Sequence, residues 1–372
     1  MLKYTFPIPI AVVLSCSGAE SKPSPAPTAR TAAFDTQAIV SLDEPWAMTF
    51  LPDGRLLVSQ KQGSLLVVGQ DGSKLTVSGV PSVDYGGQGG FGDVVLHPDF
   101  KDNALVYLSY VESGRGGRGA VVVRAKLMLG DEGGRLDAIE RIWEQSPKVS
   151  GRGHYGHRIA FSPDGYLFIS SGERQKFDPA QDMNANLGKV LRLNGDGSVP
   201  GDNPFFEQGG VTAQIWSLGH RNPLGLAFDA EGRLWNTEMG PRGGDELNLV
   251  ERGKNYGYPI VSNGRHYSGA NIPDHATRPD LEAPKEWWSP VISPAGLIVY
   301  RGERFVGWRG NIISGGLSSM SLIRIEVNEG SAQEVQRFAM GARIREVEEG
   351  PDGALWVLED GPGGRLLKLI PR

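Results

Sequence analysis

A chain of 372 residues can bury a large core, as one large domain or two ordinary ones. Its 52 glycines and 25 prolines leave no helical pattern of any length between them, which points to a turn-dense all-β architecture. The formal net charge of -5 and the lack of a basic stripe argue against nucleic acid as a partner and favour small molecules.

The N-terminus carries Lys3 and a mostly apolar run from Phe6 to Leu14 that ends in Ser15-Cys16. A charged start, a short apolar stretch and small residues at a cut site describe a signal peptide over 1–15; a membrane span needs about 20 apolar residues. Cys16 directly after Leu-Ser resembles a bacterial lipobox, whose cysteine is acylated. The bland alternative is an incidental cysteine beside a degenerate signal, since Pro7 and Pro9 interrupt the apolar run. Cys16 is the single cysteine, so no intrachain disulfide or thiolate metal site can form. The expectation is an exported protein, periplasmic or held at the outer membrane as a lipoprotein, with membrane contact only through a lipid on Cys16. A Pro/Ser/Ala-rich flexible tether follows over 16–33, and the folded body runs over 34–372.

Within the body one phrase recurs, at Leu51–Val58, Ser162–Ile169, Asp229–Trp235 and Gly350–Trp356. Each copy places an acidic-Gly turn between two apolar strands, which is a β-hairpin signal. Such radial repetition is the mark of a β-propeller, and a body of this length at roughly 40 to 55 residues per blade gives about six to eight blades. The long loops favour a six-bladed β-propeller; a pair of β-sandwiches is the alternative. Two glycine-rich runs, Gly87–Gly92 and Gly114–Gly119, fit G-x-G-x-x-G, but strands rather than helices follow both. A dinucleotide site needs the helix, so NAD is excluded.

Of the six histidines, His97 reads as structural, in a turn after a strand. His154 and His157 flank a Gly-rich loop before the Ile159 strand, where an imidazole near its ordinary pKa could act as general base. The alternative is a loop histidine bonded to a neighbouring carbonyl. The stretch Ile215–Pro259 holds an Arg221-Asn222-Pro223 turn, a Gly240-Pro241 turn, Asp245-Glu246 and an Asn255-Tyr256-Gly257 turn. Turns rich in Gly and Pro leave carbonyls free for a hard cation, so this stretch reads as a loop-built site for calcium and an anionic partner. Arg343 and Arg345 alternate on a strand and so share a face, which suits a multiply charged anion; ion pairs to Glu346, Glu348 and Glu349 are the competing reading.

Several long segments then converge on one family. GQGGFGDVVLHPDF, the loop over 154–158, NLGKVLRLNGDGSVPGDNPF, LGHRNPLGLAF, EMGPRGGDELNLVERGKNYGYP and RIREVEEGPDGALWVLED resemble, from about Leu42 to the C-terminus, the soluble aldose sugar dehydrogenases that use pyrroloquinoline quinone. The resemblance implies a six-bladed propeller with the quinone and Ca2+ on one face. It implies that His154 takes the proton of the sugar C1 hydroxyl while hydride passes to the quinone, giving a lactone. Gln88, Arg221, Asn222, Tyr267, Arg343 and Arg345 are the implied quinone contacts. The carbonyls of Gly240 and Pro241, with Glu246 and Tyr256, are implied at calcium. An aldose is the implied substrate, and the electron acceptor is unidentified.

Two departures stand out. Ser318 takes the place of a lysine that contacts the quinone in relatives, a loss on the order of 1.5 to 3 kcal/mol of charge-assisted hydrogen bonding. Glu173 stands where some relatives have Asp. The competing expectations are a propeller that binds quinone weakly or without turnover, because of Ser318, and a calcium-dependent lactonase, whose chemistry usually wants several side-chain ligands.

Overall fold

The computed structural model describes residues 33–372. The signal peptide expected over 1–15, Cys16 and, apart from Ala33, the tether over 16–33 lie outside the described residues.

The fold starts from the recurring acidic-Gly phrase. In its four copies the N–H of Gly54, Gly165, Gly232 and Gly353 donates to the carbonyl of Leu51, Ser162, Asp229 and Gly350, at 2.9, 2.9, 3.2 and 2.8 Å. All four glycines have φ between 74° and 89°, a left-handed conformation that a Cβ would make costly. The phrase thereby folds Pro45–Phe50 onto Leu56–Gln60, Gly156–Phe161 onto Leu167–Ser171, Pro223–Phe228 onto Leu234–Glu238, and Ile344–Glu349 onto Leu355–Glu359. Equivalent hairpins without the phrase pair Phe91–Leu96 with Leu105–Gly114 and Pro294–Val299 with Ile312–Gly316. The first turns through the short helix Phe100–Asn103; the second turns through a loop pinned by buried Tyr300, Phe305 and Trp308. Neither glycine-rich run opens a helix: Phe91–Leu96 continues one as strand, and Gly114 pairs with Gly117 at a hairpin tip in the other.

Further strands extend these hairpins into antiparallel meanders. Four sheets have four strands and the fifth has eight. The eight-stranded sheet is two meanders, over 45–78 and 91–144, whose outer strands meet in parallel at Val77↔Gly134 and Ser78↔Arg135. One sheet takes its outer strand from the opposite end of the chain: Phe34–Asp43 pairs with Pro362–Pro371, from Phe34↔Pro371 to Asp43↔Pro362. The first strands of the hairpins touch in succession, from Pro45–Phe50 round to Ile344–Glu349 and back to Pro45–Phe50, so the sheets close a ring. Apolar side chains fill the gaps between neighbouring sheets. Trp235, Leu247 and Trp288 meet Leu297, Ile312 and Ile323 in one of them. Truncating a buried tryptophan there to alanine would cost about 3–5 kcal/mol.

Each of these inner strands also breaks register near its start, at Pro45/Ala47, Phe91/Val94, Gly156/Ile159, Pro223/Gly225, Pro294/Leu297 and Ile344/Glu346. A bulge re-aims side chains and raises the twist. Around these breaks Arg158, Asp93 and Glu346 come together from three different sheets. The buried Arg158 guanidinium donates to Leu224 O at 2.7 Å, lies 3.3 Å from Asp93, pairs with Glu346 and stacks over Trp46 at 4.2 Å. Gly296 makes room for Glu346, because a Cβ there would sit 2.3 Å from its carboxylate. Burial still pushes the Glu346 carboxyl up to about 7, against the pull of Arg158.

Candidate active site

His154 sits on the loop that enters the strand Gly156–Phe161, with φ of 50°. A non-glycine residue in the left-handed region costs on the order of 1–2 kcal/mol, so the loop must be held from outside. Gln88 accepts the His154 N–H at 2.7 Å, and the His154 carbonyl accepts the Arg174 N–H at 3.1 Å. The Arg174 guanidinium, buried and stacked 3.7 Å over Tyr155, donates to Gly153 O, Gly151 O and Arg118 O at 2.9, 2.9 and 2.6 Å. Gln88 thus acts on the backbone of the histidine loop, a role its position in the sequence did not reveal.

The imidazole itself is oriented by Glu173. Nδ1 of His154 faces Glu173 Oε1, while Glu173 Oε2 accepts the N–H groups of Lys176 and, at 2.7 Å, Phe177. A carboxylate at Nδ1 places the ring proton there and leaves Nε2 as the basic nitrogen. Burial pushes the His154 pKa below 6.5 in spite of Glu173, with the charges of Arg221 and Arg174 adding to the shift. The ring is therefore neutral at pH 7 and able to accept a proton. Burial opposes ionisation of Glu173, yet the bonds to His154 and Phe177 N–H and the charge of Arg221 hold its pKa below the usual value. His157 is a different kind of residue. Its Nδ1 lies 2.7 Å from Ser109 Oγ, its ring stacks on Trp46 at 5.0 Å, and burial holds its pKa down to about 3. It is a neutral core histidine, and His97, bonded to Asn103 and Asp99 in its turn, is structural as expected.

Two cavities meet at His154. One of about 390 Å³ is lined by Gln88, His154, Arg221, the turn Met239–Gly243, Asp245, Tyr267 and residues of the 289–293 loop. The other, of about 280 Å³, shares His154, Arg221, Pro241 and Tyr267 and adds Glu173, Phe177, Tyr258 and His266. Tyr267 is 68% exposed and the Arg221 guanidinium lies 5.8 Å from its ring, so this tyrosine borders the open side of both cavities. A cavity of about 380 Å³ between the Asp229–Trp235 hairpin and the Tyr300–Ile312 segment holds no histidine and none of the expected site residues.

The Arg221 turn is held by Glu238, a strand residue whose part in it no local sequence pattern marks. Glu238 Oε2 accepts the Arg221 N–H at 2.7 Å, and Oε1 accepts from Asn248 Nδ2 at 2.9 Å and faces His220 Nδ1 at 3.1 Å. Arg221 Nη1 donates to Met239 O and Gly240 O at 2.8 and 2.6 Å. Its Nε and the Oδ1 of neighbouring Asn222 are buried without a hydrogen-bond partner. Buried polar atoms are normally paired, so the Arg221 Nε, on a residue that lines both cavities, marks a place where a polar ligand would fit; Asn222 lines neither cavity, and its Oδ1 is buried beside Gly172. The Gly240-Pro241 turn is tied down by Asp245, whose carboxylate accepts the N–H groups of Gly240, Ile292 and Ser293 at 2.8, 2.8 and 2.7 Å. Burial pushes Asp245 up to about 6 even so.

The other expected residues fall elsewhere. Arg343 lies just before the strand Ile344–Glu349 and Arg345 at its register break, so the two do not share a face by strand alternation; they converge on Asp360, each Nε 2.8 Å from one of its oxygens, and neither lines the His154 cavities. Their partner is Asp360, on the adjacent hairpin turn, and neither a cavity ligand nor the glutamates of the competing reading. Glu246 points away from the cavities toward Asn248 Nδ2 at 3.2 Å; burial and the nearby charge of Glu238 raise its pKa well above the usual value. The Tyr256 hydroxyl is spent on Leu249 O and, at 2.9 Å, Glu251 N–H, and its ring stacks on His220 at 4.7 Å. The side chains of Glu246 and Tyr256 therefore do not join the Gly240-Pro241 turn, because strand alternation sends Glu246 to the face opposite Asp245. Among the described residues no group of three or more His, Cys, Asp or Glu is set to hold a metal ion. The Gly240 carbonyl keeps one lone pair beyond its bond to Arg221, so backbone oxygens are what this turn offers a cation. Ser318 is exposed, its Oγ bonded to Val291 O at 3.3 Å on the cavity wall.

Comparison with known proteins gives the chain's family. The Glucose / Sorbosone dehydrogenase family model matches residues 42–368. Aldose sugar dehydrogenase YliI of Escherichia coli is 40% identical over 338 residues, 89% of this chain and 91% of the relative. The apo-form structure of the soluble aldose sugar dehydrogenase from Escherichia coli superposes with a TM-score of 0.85 at 38% identity, covering 91% of this chain and 100% of the other. The PQQ-bound form of aldose sugar dehydrogenase from Streptomyces coelicolor gives 0.75 at 27% identity, covering 91% and 98%. With a match that spans nearly the whole described body, and a relative this similar along nine-tenths of both chains, the chain belongs to the glucose/sorbosone dehydrogenase family of oxidoreductases.

Proposed function

We propose that the protein oxidises the anomeric C1 of aldoses to lactones, with pyrroloquinoline quinone as oxidant and His154 as general base. The observation that carries this is the neutral His154, its Nδ1 fixed on Glu173, at the junction of two cavities that also contain the under-bonded Arg221. The sheet ring is read as a six-bladed propeller, the eight-stranded sheet counting as two blades. The family relatives named for aldose sugars, one of them with the quinone bound, support the substrate and cofactor classes.

Gln88, Arg221, Asn222 and Tyr267 would hold the quinone. Arg343 and Arg345 would join them only if their shared hold on Asp360 loosened. Bound here, the quinone supplies a two-electron acceptor for the hydride that leaves C1. His154 Nε2 removes the C1 hydroxyl proton, which makes the hydride a better leaving group, and Glu173 stabilises the resulting imidazolium. The carbonyls of Gly240 and Pro241 would hold Ca2+, which as a Lewis acid would polarise the quinone. The Gly240 oxygen already accepts from Arg221 Nη1, so calcium would take its second lone pair. Ser318 supports a second reading, a propeller that binds quinone weakly and turns over poorly. The sequence upstream of the body supports export, with a lipid on Cys16.

Dye reduction by purified protein with quinone, calcium and a panel of aldoses tests the proposal. Activity that vanishes in His154→Gln supports it; activity that survives in that variant removes His154 as base.

A further inference from the structure

Two guanidinium groups line the larger cavity, and they are in different states. Arg221 is committed to the protein through Met239 O and Gly240 O. Arg242, directly after the Gly240-Pro241 turn, is committed only through its backbone: its N–H donates to Arg265 O at 2.9 Å, and its carbonyl accepts from Arg265 N–H at 3.0 Å. Its exposed side chain makes no hydrogen bond or ion pair among the described residues. The carboxylate nearest in sequence, Asp245, makes no ion pair with it; the Asp245 oxygens accept the backbone N–H groups of Gly240, Ile292 and Ser293.

The rest of the cavity sharpens the contrast. The wall at Ser289, Pro290, Val291 and Ser293 carries no charge, and Ser318, which bonds Val291 O, brings none. A cavity that contains a fixed-backbone arginine with a free fork, and no competing free carboxylate, is suited to a ligand carboxylate, which a guanidinium binds in a planar two-point contact.

We propose that Arg242 is a carboxylate-binding residue of this cavity and supplies the charge-assisted contact that Ser318 does not. The inference rests on the quinone reading given above, since the quinone is the ligand whose carboxylates this cavity would receive. A carboxylated sugar, such as a uronate, is the other source of the same chemistry, and the test separates the two.

Pyrroloquinoline quinone is titrated into calcium-containing apoprotein and followed by its absorption spectrum, for the unmodified protein, Arg242→Gln, Arg242→Lys and, as a control for bulk charge, Arg309→Gln. Arg242→Gln is expected to weaken binding about tenfold to a hundredfold, the range of one charge-assisted contact. Its dependence of Kd on salt becomes shallower, Arg242→Lys recovers part of the affinity, and Arg309→Gln leaves it unchanged. Adding Ser318→Lys to Arg242→Gln restores binding. If quinone affinity is the same in Arg242→Gln but KM rises for glucuronate and not for glucose, the carboxylate is the sugar's and the cofactor assignment is overturned. If the unmodified protein binds quinone and Arg242→Gln changes neither its Kd nor either KM, Arg242 has no such role. If the unmodified protein binds no quinone, the proposed function falls and this assignment falls with it.

Discussion

Glu173→Gln is the substitution that bears most directly on how the histidine works. Glu173 accepts from three donors: His154 Nδ1–H through one oxygen, and the N–H groups of Lys176 and Phe177 through the other. A glutamine keeps the shape but has a single acceptor oxygen. If that oxygen stays on the two backbone N–H groups, the new NH2 faces His154 Nδ1 and drives the ring to the tautomer with its proton on Nε2, where a base is needed. Loss of the charge-assisted bond alone is worth about 1.5–3 kcal/mol, roughly tenfold to 150-fold. Reversal of the tautomer removes the general base, whose contribution is typically about 10² to 10⁴. The expected result is therefore a fall in kcat by about 10² to 10⁴, measured as dye reduction at saturating quinone, while the quinone Kd moves little. A kcat within about threefold of the unmodified enzyme, with the same pH profile, would refute the assignment of Glu173 as the group that orients His154.

The acid limb of kcat/KM for the quinone-loaded enzyme is expected below pH 6.5, since burial lowers the His154 pKa and only the neutral ring is a base; activity should be full at pH 7 and fall as pH drops through that lower value. His157 is held at about 3 in the fold against 6.5 in the unfolded chain, so the unfolded state binds more protons between those values and stability declines as pH falls from 6.5 toward 3. His157→Gln removes that term, and its melting temperature should depend less steeply on pH over that window. Ser318→Lys should tighten quinone binding about tenfold to a hundredfold, because position 318 is exposed and its hydroxyl bonds the cavity wall at Val291; an unchanged Kd would show that this wall does not meet the ligand.

Much of the fold could be read from local chemistry. The acidic-Gly phrase needs a left-handed glycine, and that requirement alone located four hairpins and their flanking strands. The Phe91 and Pro294 hairpins carry no such mark, because a short helix and an aromatic-pinned loop make their turns. At the site, Gln88, His154, Arg221, the Gly240-Pro241 turn and Tyr267 came together as the segments suggested. The restraints on them were less legible, because they join residues distant along the chain. Glu238 reaches back to the Arg221 N–H, Asp360 gathers Arg343 and Arg345, and Arg174 spans carbonyls from Arg118 to Gly153. Glu173 was visible only as a departure from a pattern, and its bond to His154 gives that position its meaning. Strand alternation, which put Asp245 at the Gly240 turn, is also what carried Glu246 away from it.

The most direct measurement is a single turnover without any added electron acceptor. Apoprotein is loaded with pyrroloquinoline quinone and calcium, the quinone spectrum is recorded, and an aldose is added. A saturable spectral shift on loading, followed by reduction of one bound quinone per aldose oxidised and by loss of that second step in His154→Gln, is the predicted result. No spectral shift on loading, or a bound quinone that no aldose reduces, would contradict the assignment of this cavity as a quinone-dependent sugar-oxidising site.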